Sequence, residues 1–68
     1  MNKNTFTQRI RQLLAADTNA ENVYKALAQK ARDPSLKETF AKIALDEMRH
    51  VKMSVRILSE LEEKEGPQ

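Results

Sequence analysis

Glu47-Met48-Arg49-His50 interrupts an apolar line, and the fold is read from that line. From Leu36 onward, positions 36, 40, 43, 47, 50, 54, 57 and 61 recur at alternating spacings of four and three. That is a period of 3.5, the seam one helix turns towards a partner helix. It carries Leu36, Phe40 and Ile43, then Glu47 and His50, then Ser54, Ile57 and Leu61. Two metal-capable side chains therefore stand in succession where apolar residues pack. Burying a lone carboxylate is costly, so Glu47 needs a partner. Residues at i and i+3 share a helix face, which makes His50 an immediate candidate.

Composition narrows the classes. The chain has 68 residues, one Gly, two Pro and an alphabet rich in Ala, Leu, Lys, Glu and Arg, which favours helix over sheet. Without Cys there is neither a disulfide nor a thiolate-held iron–sulfur or rubredoxin-type centre. That is compatible with a cytoplasmic location, the expected one. No apolar run approaches the ~20 residues of a membrane span, and no signal-peptide core is evident. The net charge is only +2, with Lys and Arg interleaved among acids from Lys3 to Lys64. This describes a solvated surface and gives no reason to expect nucleic acid as a partner, despite a pI of about 9.2. A chain this short buries little surface alone, so self-association is expected before any motif is considered.

The whole chain, residues 1–68, reads as one all-α unit, an antiparallel helical hairpin. Thr5-Phe6-Thr7-Gln8 fits a capping box, with residues 1–4 frayed before it. A broad stripe follows, and within it positions 10, 14, 17, 21, 24, 28 and 31 form a second seam that includes Asp17, Glu21 and Tyr24. Asp17-Thr18-Asn19 is the weak point, because these residues favour caps. Two helices (about 6–16 and 19–32) could meet there with Glu21 in a capping box, but the continuous stripe across the junction favours one helix over about 6–32, with room for a bend there. Asp33-Pro34-Ser35 is the clear break, since Pro disfavours helix at the residue before it. Ser35-Leu36-Lys37-Glu38 restarts the chain as a capping box, giving a second helix over about 36–63. Residues 65–68 read as a terminator and loose tail.

A hairpin brings equidistant positions level. Glu21 lies 34 − 21 = 13 residues before Pro34, and Glu47 lies 47 − 34 = 13 residues after it. At ~1.5 Å per residue both carboxylates are ~20 Å from the turn, and His50 is ~4.5 Å further along. Tyr24 approaches the same level. Glu21, Glu47 and His50 can thus converge. Two hairpins related by a twofold axis would bring together four Glu and two His, the donor set of two-metal carboxylate bundles. Oxygen and imidazole donors without thiolate suit iron, with manganese or zinc tolerated. Asp17 stays open between helix cap, acceptor for another ligand, and ligand. Met48 and Met53 read as packing or surface residues, and Asp46 as solvated.

Glu21-Asn22-Val23-Tyr24, the following Leu27-Ala28 and Ala31, Phe40, Ile43-Ala44 and Glu47-Met48-Arg49-His50 resemble the helical hairpin of rubrerythrins and ferritin-like proteins. That family has Glu-x-x-Tyr on one helix and Glu-x-x-His on the next, and the likeness covers about residues 10–60. It implies a four-helix bundle binding two irons that react with dioxygen or hydrogen peroxide. Carried over, Glu21 and Glu47 would be carboxylate ligands, with Glu47 bridging and catalytic, and His50 would be a terminal ligand. Tyr24 would hold a ligand carboxylate in place as part of the catalytic set. Most relatives carry two hairpins in one chain. A single hairpin therefore implies a homodimer, or a higher homo-oligomer, with two irons per dimer. The Cys-based electron-transfer domain of full rubrerythrins has no counterpart here.

The expected function is oxidation of Fe(II) by dioxygen or hydrogen peroxide, in iron handling or peroxide defence. The competing reading is a metal-free structural or adaptor hairpin.

Overall fold

The computed structural model of the chain describes residues 3–65. Two helices account for nearly all of them: α1 spans Lys3–Lys30 and α2 spans Pro34–Glu65. They pack antiparallel in a rod measuring 49 × 16 × 15 Å. The long dimension is that of α2 itself, since 32 helical residues at ~1.5 Å each reach ~48 Å. The all-α hairpin read from the sequence is therefore present.

Its ends differ from expectation. α1 already includes Lys3, so Thr5 lies inside the first turn and is not the cap. Residues 1–2 and 66–68, part of the expected frayed tails, lie outside the described residues. α2 begins at Pro34, ahead of the expected Ser35 cap, because Asp33 caps it. Asp33 Oδ2 accepts a hydrogen bond from the Leu36 amide at 2.9 Å, and its carbonyl accepts one from the Lys37 amide at 2.9 Å. Pro34 then occupies the first helical position, where its missing N–H costs nothing and its fixed φ suits the helix. The other side of the turn is capped by Lys37. Its Nζ donates to the Ala28 carbonyl at 2.6 Å and approaches that of Gln29 at 3.4 Å. These are the orphan acceptors and negative dipole end of α1.

No break occurs at Asp17-Thr18-Asn19; α1 is continuous. Thr18 Oγ1 donates to the Leu14 carbonyl at 2.8 Å, the back-bond by which a hydroxyl residue is accommodated within a helix. Glu21 is accordingly a mid-helix residue and caps nothing.

On α1 the expected seam is the inter-helix face: Ile10, Leu14, Asp17, Glu21, Tyr24, Ala28 and Ala31 are all partly buried. On α2 the facing line is displaced. Phe40, Ala44, Glu47, Val51, Ser54, Leu58 and Leu61 form the covered line, with Ile43 and Met48 partly buried beside it, whereas Leu36, His50 and Ile57 are exposed. The column 40/47/54/61 belongs to both lines. Its true companion towards α1 is 44/51/58, and the column 36/43/50/57 lies on the flank. Two small residues, Ala44 and Ser54, each 4% exposed, are the buried ones among the described residues. Their size brings the helices close, and the Tyr24 and Phe40 rings, 6.3 Å between centroids, fill the level nearer the turn.

Phe6, Leu13 and Leu27 on α1 and Leu36, Met53 and Ile57 on α2 remain exposed. Phe6, Leu13, Ala20 and Leu27 recur every seven residues, as do Leu36, Ile43, His50 and Ile57. Residues seven apart stack on one side of a helix. Leu13, Met53 and Ile57 line one groove, so the two columns border a common face.

The two cap assignments separate experimentally. Asp33→Ala should cost about 1 kcal/mol, within the usual range for a lost cap, and Ser35→Ala appreciably less. Urea denaturation midpoints of the two variants provide the comparison.

Candidate metal centre

Glu47 lies on the α2 column facing α1, and His50 one turn further on the flanking column. The i, i+3 relation lets the side chains meet: His50 Nδ1 donates to Glu47 Oε1 at 2.9 Å. The carboxylate is sheltered, its side chain 17% exposed, while the imidazole is 55% exposed. Glu47 thus enters the hairpin interior with its charge met by a hydrogen bond, as a half-buried carboxylate requires. This pairing agrees with the reading of the seam, although His50 sits at the seam's edge.

Asp17 joins them. One carboxylate oxygen of Asp17, one of Glu47 and a ring nitrogen of His50 lie within 4.8 Å of one another. They line an open groove of about 460 Å³ together with Leu13, Met53, Ser54 and Ile57. Level for level this is a hairpin contact, since 17 + 50 = 67 nearly equals 21 + 47 = 68. The seam placed Asp17 on the correct face; what the sequence left open was its role.

Glu21 is on the same face of α1 but is engaged otherwise. Its Oε2 is 2.6 Å from Lys25 Nζ, an i, i+4 pair in which the Glu21 side chain is 15% exposed. Lys25 carried a legible signal, being four residues after an acid on a helix. Tyr24 packs its ring against Phe40, and its hydroxyl makes no hydrogen bond among the described residues. Asp46, expected to be solvated, is exposed and pairs with Arg49 at 3.4 Å. Met53 forms part of the groove wall, and Met48 is partly buried away from that wall.

Two carboxylates and an imidazole, without a thiolate, form a donor set for hard to borderline divalent cations such as Fe(II), Mn(II) or Zn(II). The arrangement defines a class of protein, a helical hairpin that presents metal-capable donors at mid-height beside an uncovered apolar face. The sequence profile of rubrerythrin matches residues 13–68. The match spans both helices' facing seams, and the chain belongs to the rubrerythrin family. No curated protein and no solved structure matches it.

The helices should not need Glu47 and His50 for their packing. Replacing both partners of a hydrogen bond by apolar groups is near neutral or stabilising, whereas removing one leaves the other unsatisfied. The double variant Glu47→Leu/His50→Leu, kept free of metal by a chelator, should melt at or above the wild-type chain by circular dichroism. A marked fall in its melting temperature would assign the pair a structural role.

Proposed function

We propose that the chain is a homodimeric ferritin-like di-iron protein that oxidises Fe(II) with dioxygen or hydrogen peroxide. The observation that carries this reading is the Glu47–His50 pair opening into a groove on the uncovered apolar face, in a chain of the rubrerythrin family. Two such faces laid together make four helices, with the donors of both chains between them. Leu13, Met53 and Ile57 around the groove supply apolar surface for that contact.

The residues fit the group. Glu47 and His50 would hold iron, with Glu21 joining once its carboxylate leaves Lys25, and Tyr24 would orient a carboxylate through its free hydroxyl. When bound, two Fe(II) supply the two electrons that, with two protons, reduce hydrogen peroxide to two waters or dioxygen to hydrogen peroxide. The chain's own part is to fix the donors, shelter them between apolar walls and balance the cations' charge with carboxylates. Manganese or zinc would satisfy the same donors without the same chemistry. The biological purpose that fits is iron handling or peroxide defence.

One observation favours a metal-free structural or adaptor hairpin as the second reading. Glu21 and Glu47 each already have a partner within the hairpin, in Lys25 and His50. Iron content separates the two.

Reconstitution with Fe(II), followed by metal analysis and mass in solution, tests the proposal. Loading of about one iron per chain in a dimer is expected from the shared ligand set. Leu13→Glu with Ile57→Glu should shift the mass to that of a monomer. Full iron content in Glu47→Ala would remove Glu47 from the ligand set, and a wild-type chain without iron would leave the structural hairpin standing.

A further inference from the structure

Asp17 is where the hairpin's chemistry exceeds the two short motifs. We infer that Asp17, Glu47 and His50 form a divalent-cation site that one hairpin assembles by itself. Asp17, and not Glu21, is then the α1 ligand of the first cation to bind. The inference rests on the metal-binding reading above but adds a residue outside Glu-x-x-Tyr and Glu-x-x-His, and an order of assembly.

The first support is distance. Donor atoms that share one cation at ~2.1 Å are at most ~4.2 Å apart. The three atoms here lie within 4.8 Å without any cation. Closing the site therefore needs side-chain adjustments of under an ångström, with both helices left in place.

The second is the state of the two α1 carboxylates. Glu38, Asp46, Glu60 and Glu62 pair with Lys42, Arg49, Arg56 and Arg11. Asp33 caps α2, and Glu21 is held by Lys25 at 2.6 Å. The Asp17 side chain is partly buried, yet its carboxylate makes no hydrogen bond or ion pair among the described residues. It faces a second carboxylate, Glu47, inside the groove. Two like charges at that range repel, and a divalent cation between them converts the repulsion into attraction. Recruiting Glu21 first would require breaking its contact with Lys25; recruiting Asp17 requires breaking nothing.

The third is independent of the charged groups. Ser54 lies in the groove wall, 4% exposed, and its hydroxyl makes no hydrogen bond among the described residues. Its oxygen is reached from the groove, so solvent there, or a water carried in by a cation, can meet it. The groove is open to solvent, so a hydrated cation reaches the three donors without separation of the helices. With two carboxylates and a neutral imidazole, a divalent cation leaves the site without net charge. Such a site can then be covered by a second apolar face at little electrostatic cost. On this order, one cation binds per hairpin, and Glu21 is recruited when two hairpins meet.

Co(II) binding to the full chain tests this, with its visible absorption reporting the donor set and no turnover required. The wild-type chain, Asp17→Asn, Asp17→Ala and Glu21→Gln are titrated side by side, with helix content checked by circular dichroism. Ala is the better helix former, so it guards against a folding defect in the Asn variant. Both Asp17 variants are expected to bind the first Co(II) at least ~10-fold more weakly with a changed spectrum, the scale on which a supporting group alters metal affinity. Glu21→Gln is expected to keep the affinity and spectrum of that first equivalent. Asp17 variants that bind like wild type overturn the inference; if Glu21→Gln then loses Co(II), the di-iron reading survives without Asp17. Equal losses in the Asp17 and Glu21 variants also overturn it, because the four donors would then act as one set. A wild-type chain that binds no Co(II) overturns both.

Discussion

Two helices share a single interface, and most else in this molecule follows from that constraint. Each helix can turn only one stripe to the other, and here the stripe closes over small residues, Ala44 and Ser54, with no large side chain fully buried among the described residues. A hairpin so built leaves much of its apolar surface in water, at roughly 25 cal/mol for each Å² that stays uncovered. Much of the uncovered part lies in the columns through Leu13 and Ile57 on the groove side, with Val23, Leu45 and Val55 exposed elsewhere. The exposed ion pairs along the rod do little to offset this, since such pairs contribute ~0–1 kcal/mol each.

The same geometry locates the donors. Mid-height on the facing seam is the part of a hairpin where a carboxylate is sheltered yet still reachable from the flank. Glu47 occupies it, and His50, one turn on, stands at its mouth. Asp17 enters from α1 at the same level. Charged groups in this position weaken a core unless they are paired, and Glu47 is met there by His50.

How far the sequence foretells this differs between the helices. On α1 the apolar residues mark one stripe, and the line from Ile10 to Ala31 is the buried one. On α2 three adjacent heptad columns are apolar: 36/43/57, 40/61 and 44/51/58. A period of 3.5 identifies such a band but cannot say which pair of columns meets α1, because the remaining column serves a different surface. That ambiguity is why Leu36, His50 and Ile57 read as facing α1 when they lie on the flank. The hairpin and the Glu47–His50 contact were legible because both follow from local spacing. The partner of Glu21 is legible in the same way, four residues on at Lys25, but level matching across the hairpin passes over it. The α2 cap was misplaced by two residues for a related reason. Asp33 and Ser35 are both good caps, and the preference of Pro34 for the first helical position decides between them.

The turn itself carries a consequence for assembly. Pro34 prevents α1 from running on into α2, Asp33 fixes the start of the second helix, and the Lys37 ammonium reaches back onto the last carbonyls of the first. The three-residue connection is thereby clasped from both sides. Exchange of helices between copies usually proceeds by opening a hinge, and this hinge would have to release both clasps while a proline disfavours one continuous helix through it. The hairpin therefore meets any neighbour as a closed unit, surface against surface, and each chain keeps its own α1 beside its own α2.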